Sequence, residues 1–346
     1  MSGTARILWV DDAIATGGGT TQTLTLMQKT DGIHATGCHP NAIDKYLERT
    51  FDLFLVDYRL NKEPDADQEK YEHTGISVAG LIRDNFPDLP IYLTSALIDD
   101  EASHKVESEL FDRVISHKTL TRLDGIIGVR DDALDYRRIR NAKGRTSIKS
   151  IHSLLRTLNS ANSEVERVLP ESFRHGLGAR QHERTPALPT TVSSGTIRFG
   201  KWVTQLFLAH PGVLYDELYA ATYLGMTSRH FLGPFAKTVL EYLYDGVFSK
   251  THDARWWKSG LTDLVVANPK AKTHGALRFI ELAPKVLNIP KAARSRCLVC
   301  KNPFPETVAY DRDNHDRRGP AHLSCSEPDP DRKPILYYEP YRRFVE

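Results

Sequence analysis

The chain has 346 residues, of which 40% are hydrophobic and 26% charged. This length exceeds what one ordinary core holds and predicts two or three domains. No apolar run reaches the roughly 18 residues that a membrane helix needs, and the first residues lack the layout of a signal peptide. A membrane protein is therefore excluded, and we expect a soluble cytoplasmic one.

Charge is distributed unevenly along the chain. Residues 1–135 contain 13 Lys or Arg and 24 Asp or Glu, whereas the whole chain has a net charge of only +2. The remainder is therefore strongly basic. Two interpretations are open: two solvated surfaces that partly attract each other, or a basic half suited to an anionic partner such as DNA or RNA.

Short apolar runs alternate with helical stretches over residues 6–120, which is typical of an α/β domain. The predicted strands are Arg6–Val10, Gly32–Cys38, Leu53–Val56, Ile91–Leu93 and Arg113–Ser116, and the helices between them include Asn41–Glu48 and Gly75–Asn85. The pattern predicts a doubly wound, five-stranded parallel sheet. Such a sheet binds its ligand at the carboxyl ends of the strands.

Three carboxylates follow predicted strands and are expected to meet at that edge. Asp11 and Asp12 follow the first strand, and Asp57 follows the third. Close carboxylates repel one another unless a cation lies between them, and an oxygen-rich set suits Mg²⁺. An aspartate beside that ion can attack a phosphoryl donor. Ser95 and Lys118, at the ends of the fourth and fifth strands, can donate to the phosphoryl oxygens.

Four segments, ILWVDD at 7–12, LFLVDYRL at 53–60, PIYLTSA at 90–96 and ISHK at 115–118, resemble in order the motifs of the response-regulator receiver family. The resemblance implies a flavodoxin-like receiver domain over residues 1–135. It implies Asp11 and Asp12 as Mg²⁺-binding acids, Asp57 as phosphoacceptor, Ser95 as switch hydroxyl and Lys118 as phosphate-contacting lysine.

The sequence departs from this family at three places. The stretch Tyr58–Gly75 is about ten residues longer than the loop that the family usually has at this place. Ile115 stands where a switch aromatic is common, and Thr119 where proline is usual. These departures argue against the switching surface that the family usually has. The alternative to a phosphorylated receiver is an inactive one that has only a packing role.

Residues 136–172 are predicted to form a basic helical linker. From Ile148 to Leu169 the apolar positions follow a heptad spacing that includes Leu155, Leu158 and Val165. This pattern predicts a coiled-coil-like seam and a homodimer, or else an ordinary amphipathic helix packed on its own domain. Residues 173–196 are rich in Gly, Pro, Ser and Thr and predict a loop.

Residues 197–290 are predicted to form a helical output domain. It contains Trp202 and the Trp256–Trp257 pair, which are interpreted as core residues rather than a docking surface. Residues 216–231 resemble a helix-turn-helix with a glycine turn at Gly225. Because Gly233 and Pro234 would end its second helix early, a plain helical hairpin is the alternative.

Residues 291–330 carry metal-ligand spacing. Cys297 and Cys300 form a C-x2-C pair, and His322 and Cys325 form an H-x2-C pair. Two such pairs suit one structural Zn²⁺ with four tetrahedral ligands, and the module resembles treble-clef or zinc-ribbon knuckles in general. Residues 331–346 are predicted to be an irregular tail.

Together these observations predict a response regulator. Asp57 would accept a phosphoryl group from a histidine kinase or phosphotransfer protein and thereby control a zinc-containing, nucleic-acid-binding output. The alternative output is a protein-interaction adaptor or effector that binds no nucleic acid. No catalytic motif beyond the receiver's own phosphotransfer is evident, so the chain as a whole is not predicted to be an enzyme.

Overall fold

The computed structural model describes residues 3–16, 19–58, 60, 75–95, 110–143, 151–158, 196–274, 276–311 and 314–327. They form two compact units: the first holds the described residues up to Leu158 together with 196–201, and the second those from Trp202 onward. The loop predicted over 173–195 and the tail over 331–346 lie outside the described residues. None of the helices in these ranges combines the length and the apolar character needed to cross a membrane.

A parallel sheet forms the centre of the first unit. Its strands are β1 (Ala5–Val10), β2 (Ile33–Cys38), β3 (Leu53–Asp57), β4 (Ile91–Ser95) and β5 (Arg113–Ser116). They lie in the order β2-β1-β3-β4-β5, and every neighbouring pair is parallel. All residues of β3 and β4 are buried, as expected for a parallel sheet covered on both faces. The predicted doubly wound, five-stranded sheet is confirmed.

The described helices of the first unit lie between the strands and after the last of them. They are α1 (Gly19–Lys29), α2 (Gly75–Asn85), α3 (His117–Leu120), α4 (Leu123–Lys143), α5 (Ile151–Thr157) and α6 (Thr196–Trp202), whose last residue belongs to the second unit. α2 has its predicted bounds. The helix predicted over Asn41–Glu48 is instead a 3₁₀ helix over Pro40–Tyr46, a tight geometry common in short connectors.

α4 runs straight through residue 135, where the sequence predicted a domain boundary. Tyr136 and Ile139 are buried, and Arg137 and Arg140 reach the carboxylate of Asp52 at 3.3 and 3.1 Å. Residues 136–143 of the predicted basic linker are therefore the end of an integral helix. In composition these arginines resemble those of a solvated linker. In the structure Arg137 and Arg140 instead neutralise the buried carboxylate of Asp52 in the same unit.

Asp52 connects three elements of the first unit. Its side chain is fully buried and accepts a hydrogen bond from the backbone N–H of Arg6 in β1 at 2.9 Å. It also receives Arg137 and Arg140 from α4. Since Asp52 directly precedes β3, one carboxylate holds β1, β3 and α4 together.

α5 packs against α4 and carries part of the predicted dimer seam. Leu155 in α5 and Leu158 after it are buried, whereas Ile148, Val165 and Leu169 lie outside the described residues. This burial favours the alternative of an amphipathic helix packed on its own domain.

α6 returns the chain to the first unit. The backbone N–H of Thr196 donates to Asp88 at 2.9 Å, and Nζ of Lys201 lies 3.0 Å from Asp112. Gly200 lies so close to the ring of Tyr136 that a Cβ atom there would clash. Residues 196–201, predicted as the end of a loop and the start of the output domain, are therefore part of the first unit.

The second unit is built from short elements around an apolar core. After a π-helical turn at Val203–Phe207 come β6 (Leu214–Tyr215), α7 (Glu217–Tyr223), α8 (Ser228–Leu232), α9 (Ala236–Val239), β7 (Trp256–Trp257), α10 (Lys258–Val266) and α11 (Phe279–Val286). Trp202 and Trp256 are buried and Trp257 is half-buried. The interpretation of the tryptophans as core residues is confirmed.

The helix-turn-helix pattern forms two helices but no long second helix. α7 and α8 are joined by a turn in which Gly225 has φ +72°, a conformation that favours glycine. α8 has only five residues and ends at Gly233, as the Gly233–Pro234 pair predicts. The segment is a helical hairpin, which is the alternative that the sequence left open.

The C-terminal part of the second unit is an antiparallel sheet, which lies within the span 291–330 predicted as the zinc knuckle. Its strands are β8 (Thr307–Asp311), β9 (Asn314–Ala321) and β10 (Ser326–Glu327), in the order β10-β8-β9. The hydroxyl of Tyr219 in α7 donates to the carbonyl of Val308 in β8 at 2.8 Å. The sheet and the helices therefore share one core.

We predict that Asp52→Ala lowers the free energy of unfolding of the first unit by about 3–5 kcal/mol, because partly buried arginines lose their only shared counter-charge. Urea unfolding measures the change. The matched control is Asp124→Ala, which removes an exposed pair with Arg122 and should change stability by at most about 1 kcal/mol. Equal effects of the two substitutions would contradict the role assigned to Asp52.

Candidate functional site

The predicted acceptor, Asp57, lies at the carboxyl end of β3 and is 7% exposed. β1 and β3 are neighbours at the centre of the sheet, where the strand order reverses. Ligands of doubly wound sheets bind at this crevice. α2 begins immediately beside Asp57, since a Cβ atom on Gly75 would collide with the Asp57 carbonyl oxygen. Glycine at this position allows the helix to approach the site closely.

Asp11, which directly follows β1, faces the same crevice. Its carboxylate accepts hydrogen bonds from the backbone N–H of Ala13 at 2.8 Å and from the hydroxyl of Thr20 at 3.2 Å. Burial, together with repulsion from Asp57, raises the pKa of Asp11 to about 6. A proton therefore competes with any cation for this carboxylate in mildly acidic solution.

Asp12 is also buried and lies next to Asp11 at the start of a 3₁₀ helix, Asp12–Thr16. Its Oδ1 atom has no hydrogen-bond partner among the described residues. An unpartnered carboxylate oxygen is costly to bury unless a cation or water meets it. Its unpartnered oxygen is consistent with a divalent cation near Asp11 and Asp57.

His117, which the sequence analysis overlooked, lies against the acceptor. It is the first residue of α3, directly after β5, and its Nε2 atom is 3.4 Å from Oδ1 of Asp57. The ligand atoms of Asp11, Asp57 and His117 all lie within 4.8 Å of one another, and Asp12 does not belong to this group of described residues. The ISHK segment at 115–118 contains this histidine, but only its lysine was predicted to contact the phosphoryl group.

The two predicted phosphoryl contacts differ in position. Ser95 is buried at the end of β4, one residue beyond Thr94, which pairs with Asp57 in the sheet. Lys118 is exposed, and His117 is the residue whose side-chain nitrogen lies 3.4 Å from Oδ1 of Asp57. The structure thus brings the acids and His117 together, and does not bring Lys118 to the acceptor.

The predicted zinc ligands converge in the second unit. The ligand atoms of Cys297, Cys300, His322 and Cys325 all lie within 4.8 Å of one another. Nδ1 of His322 is 3.3 Å from the sulfur of Cys300, and its Nε2 is 3.0 Å from the carbonyl of Pro303. One ring nitrogen therefore faces the thiols while the other is oriented by a carbonyl, which is the usual arrangement of a ligating histidine.

Backbone groups prepare this cluster for a cation. Burial opposes ionisation of Cys297, but hydrogen bonds from the backbone N–H groups of His322, Cys300 and Val299 outweigh it and lower the pKa of Cys297 to about 7. Thiolates are the form that binds metal. Lys301, the residue after the second cysteine, has φ +64°, and its N–H donates to the Cys297 carbonyl at 3.1 Å. This turn brings Cys300 back toward Cys297.

No protein-family model matches the chain, and no curated protein matches it. Solved structures do. A response regulator of Thermotoga maritima in complex with Mg(2+)-BeF is 23% identical, with 33% of this chain and 86% of that one covered and a TM-score of 0.25. The receiver domain of NtrX from Brucella abortus is 18% identical, with 37% and 98% covered and a TM-score of 0.30.

A chemotaxis response regulator of Vibrio cholerae is 17% identical, with 34% of this chain and 93% of that one covered and a TM-score of 0.26. At these identities the likeness concerns the fold alone. The strand order β2-β1-β3-β4-β5 is itself that of flavodoxin-like receiver domains. The first unit therefore has the receiver fold that the resemblance implied.

Proposed function

We propose that the first unit is a phosphoacceptor receiver and that Asp57 takes a phosphoryl group from the phosphohistidine of a partner kinase or phosphotransfer protein. The observation that carries the proposal is the convergence of Asp57 with Asp11 at the switch point of the sheet. A cytoplasmic location, where such partners act, is part of the same proposal.

In the proposed reaction a carboxylate oxygen of Asp57 attacks phosphorus, the phosphorus–nitrogen bond breaks and the imidazole leaves, so that an acyl phosphate remains. Asp11 and Asp12, with Asp57, would hold Mg²⁺, which neutralises the charge of the acids and of the phosphoryl oxygens. Ser95 would donate its hydroxyl to one of those oxygens. Because Lys118 is exposed, its predicted contact requires an inward movement of the side chain.

We predict that Asp57→Asn abolishes phosphoryl uptake from acetyl phosphate with Mg²⁺, because the amide lacks the nucleophilic oxygen. Intact-mass measurement detects the phosphate increment. Asp124→Asn, which changes an exposed aspartate on α4, is the matched control and should still take the increment. A full increment on the Asp57→Asn protein would refute the assignment.

The Cys₃His cluster is proposed to hold one structural Zn²⁺. Four nitrogen and sulfur ligands leave no open position for a substrate. His322 directly follows β9, which pairs with β8, and β8 accepts a hydrogen bond from Tyr219 in α7. The ion would therefore stabilise the second unit rather than perform chemistry.

Metal analysis of protein never exposed to chelator should find one Zn²⁺ per chain. Cys300→Ser should remove most of it and destabilise the second unit, since binding energy of structural zinc is folding energy. Phosphoryl uptake by the first unit, measured by intact mass, should persist. An almost zinc-free wild-type protein would exclude the site, and loss of uptake would show that the two units fold cooperatively.

For the output we propose nucleic-acid binding through the segment 270–301. This segment contains eight Lys or Arg and one Asp or Glu, and Lys285, Lys291 and Arg296 within it are exposed. Exposed basic side chains in such density suit a phosphate backbone. The adaptor alternative has less support, because Trp202 and Trp256 are buried and do not form a docking surface.

The double variant Lys285→Glu/Lys291→Glu should weaken binding to DNA or RNA and reduce the slope of log affinity against log salt by about 2, one for each lost phosphate contact. Lys237→Glu/Lys250→Glu, two exposed lysines elsewhere in the same unit, is the matched control. Fluorescence anisotropy at several salt concentrations measures the slope. No binding by the wild-type protein, phosphorylated or not, would favour the adaptor.

A further inference from the structure

We propose that His117 is a ligand of the cation at the Asp57 site, and that this site consequently prefers a first-row divalent transition-metal ion to Mg²⁺. The inference rests on the proposed phosphoacceptor function, because it concerns the same site. It differs from the sequence-derived expectation in two respects: the ligand set includes a nitrogen, and Lys118 is not part of it.

The geometry places His117 among the ligands. Its Nε2 lies 3.4 Å from Oδ1 of Asp57, and the ligand atoms of His117, Asp57 and Asp11 lie within 4.8 Å of one another. Two adjacent ligands of an octahedral ion with bonds near 2.1 Å are about 3 Å apart. Such an ion can therefore bind all three atoms after only small shifts.

The same distance is long for a direct charge-assisted hydrogen bond, which measures about 2.7–2.9 Å. A protonated imidazole paired with Asp57 would be expected to lie closer. The separation of 3.4 Å is closer to the spacing of two adjacent ligands of one ion, about 3 Å.

The imidazole is held in this orientation by its surroundings. Ser116 ends β5 and caps α3, since its hydroxyl accepts from the N–H of Thr119 at 3.0 Å. This cap fixes the backbone from which His117 projects. The ring of Trp9, buried in β1, contacts the imidazole edge to face with centroids 6.1 Å apart.

A second observation points to a cation at this place. The Oδ1 atom of Asp12 is buried beside Asp11 with no partner among the described residues, and carboxylate oxygens of Asp11 and Asp57 lie within 4.8 Å of each other. Buried carboxylates in this state require positive charge nearby. A dication bound by Asp11, Asp57 and His117 would supply it to all of the acids.

The chemistry of the donor set decides which dication binds best. Mg²⁺ demands oxygen ligands and keeps most of its water, whereas imidazole nitrogen is a good ligand for first-row transition ions. Two carboxylates and one imidazole therefore favour the transition ion. Mn²⁺ is the appropriate probe, because it also accepts carboxylate and is too hard to compete strongly for the three thiols of the Cys₃His cluster.

The test uses the full chain with its zinc retained. Isothermal titration with Mn²⁺ and with Mg²⁺ is carried out on wild type, His117→Gln and His117→Lys, with His34→Gln as the matched control because His34 is exposed on β2. We expect wild type and His34→Gln to bind Mn²⁺ at least about tenfold more tightly than Mg²⁺. Both His117 variants should lose this preference. His117→Gln should keep its Mg²⁺ affinity within about threefold, whereas the ammonium of His117→Lys repels both ions and should weaken both affinities.

Electron spin-echo spectroscopy of bound Mn²⁺ provides a second readout that is independent of activity. Wild type should show modulation from a directly bound ¹⁴N nucleus, and both His117 variants should lack it. Persistence of that modulation in both variants, or its absence from wild type, overturns the inference, as does an unchanged Mn²⁺ preference. His117→Lys covers the case in which glutamine impairs folding, because it also removes the imidazole nitrogen.

Phosphoryl uptake is measured on the same samples by intact mass. If Asp57 takes no phosphate but the ¹⁴N signal depends on His117, the metal inference stands and the proposed function fails. If uptake occurs and wild type has no ¹⁴N signal, the proposed function stands and His117 contacts the acceptor or the phosphoryl group rather than the ion, which overturns the inference.

Discussion

The strand β3 has a buried carboxylate at each end, and the difference between their surroundings organises the first unit. Asp52, just before the strand, is met by Arg137 and Arg140 from α4 and by the backbone of Arg6. Asp57, at the other end, meets Asp11 and the imidazole of His117. The neutralised carboxylate joins elements, whereas the carboxylate without a permanent cation retains charge that a ligand can satisfy.

This contrast explains why the site requires the whole unit. A parallel sheet places the ends of β1 and β3 side by side, which no local segment can do. Holding two acids together there is unfavourable, so the packing of the apolar cluster beneath them must outweigh the repulsion. Leu8, Val10, Phe54 and Val56 supply that packing in the two central strands.

The sequence predicted those parts of the structure that depend on local pattern. Short apolar runs mark the strands, so the strand bounds were predicted closely. Asp11 and Asp57 were predicted to lie at the carboxyl ends of two strands, and they do. His117 was missed because which of two adjacent polar residues turns inward depends on where α3 begins, and the Ser116 cap decides that. The boundary at residue 135 was wrong because arginines that pair with Asp52 look, in sequence, like those of a solvated linker.

In the second unit, the spacing of the Cys and His residues predicted the structure better than the pattern of apolar residues did. The C-x2-C and H-x2-C pairs converge because backbone turns, such as that at Lys301, are part of the motif itself. Of the features that resemble a helix-turn-helix, only the local ones are present in the structure. The turn at Gly225 is formed, but the Gly233–Pro234 pair limits α8 to five residues. The antiparallel sheet of β8–β10 was not predicted, because its strands show little alternation of apolar and polar residues.

The return of α6 to the first unit bears on the order in which the chain can fold during synthesis. Lys201 pairs with Asp112, and Gly200 covers the ring of Tyr136, yet both follow α5 by some forty residues of chain, a span whose closure costs little more than that of a span half as long. A nascent chain that has reached only Leu158 has made every strand of the sheet but not its final cover. The first unit therefore completes its folding only once the chain has been synthesised as far as Lys201.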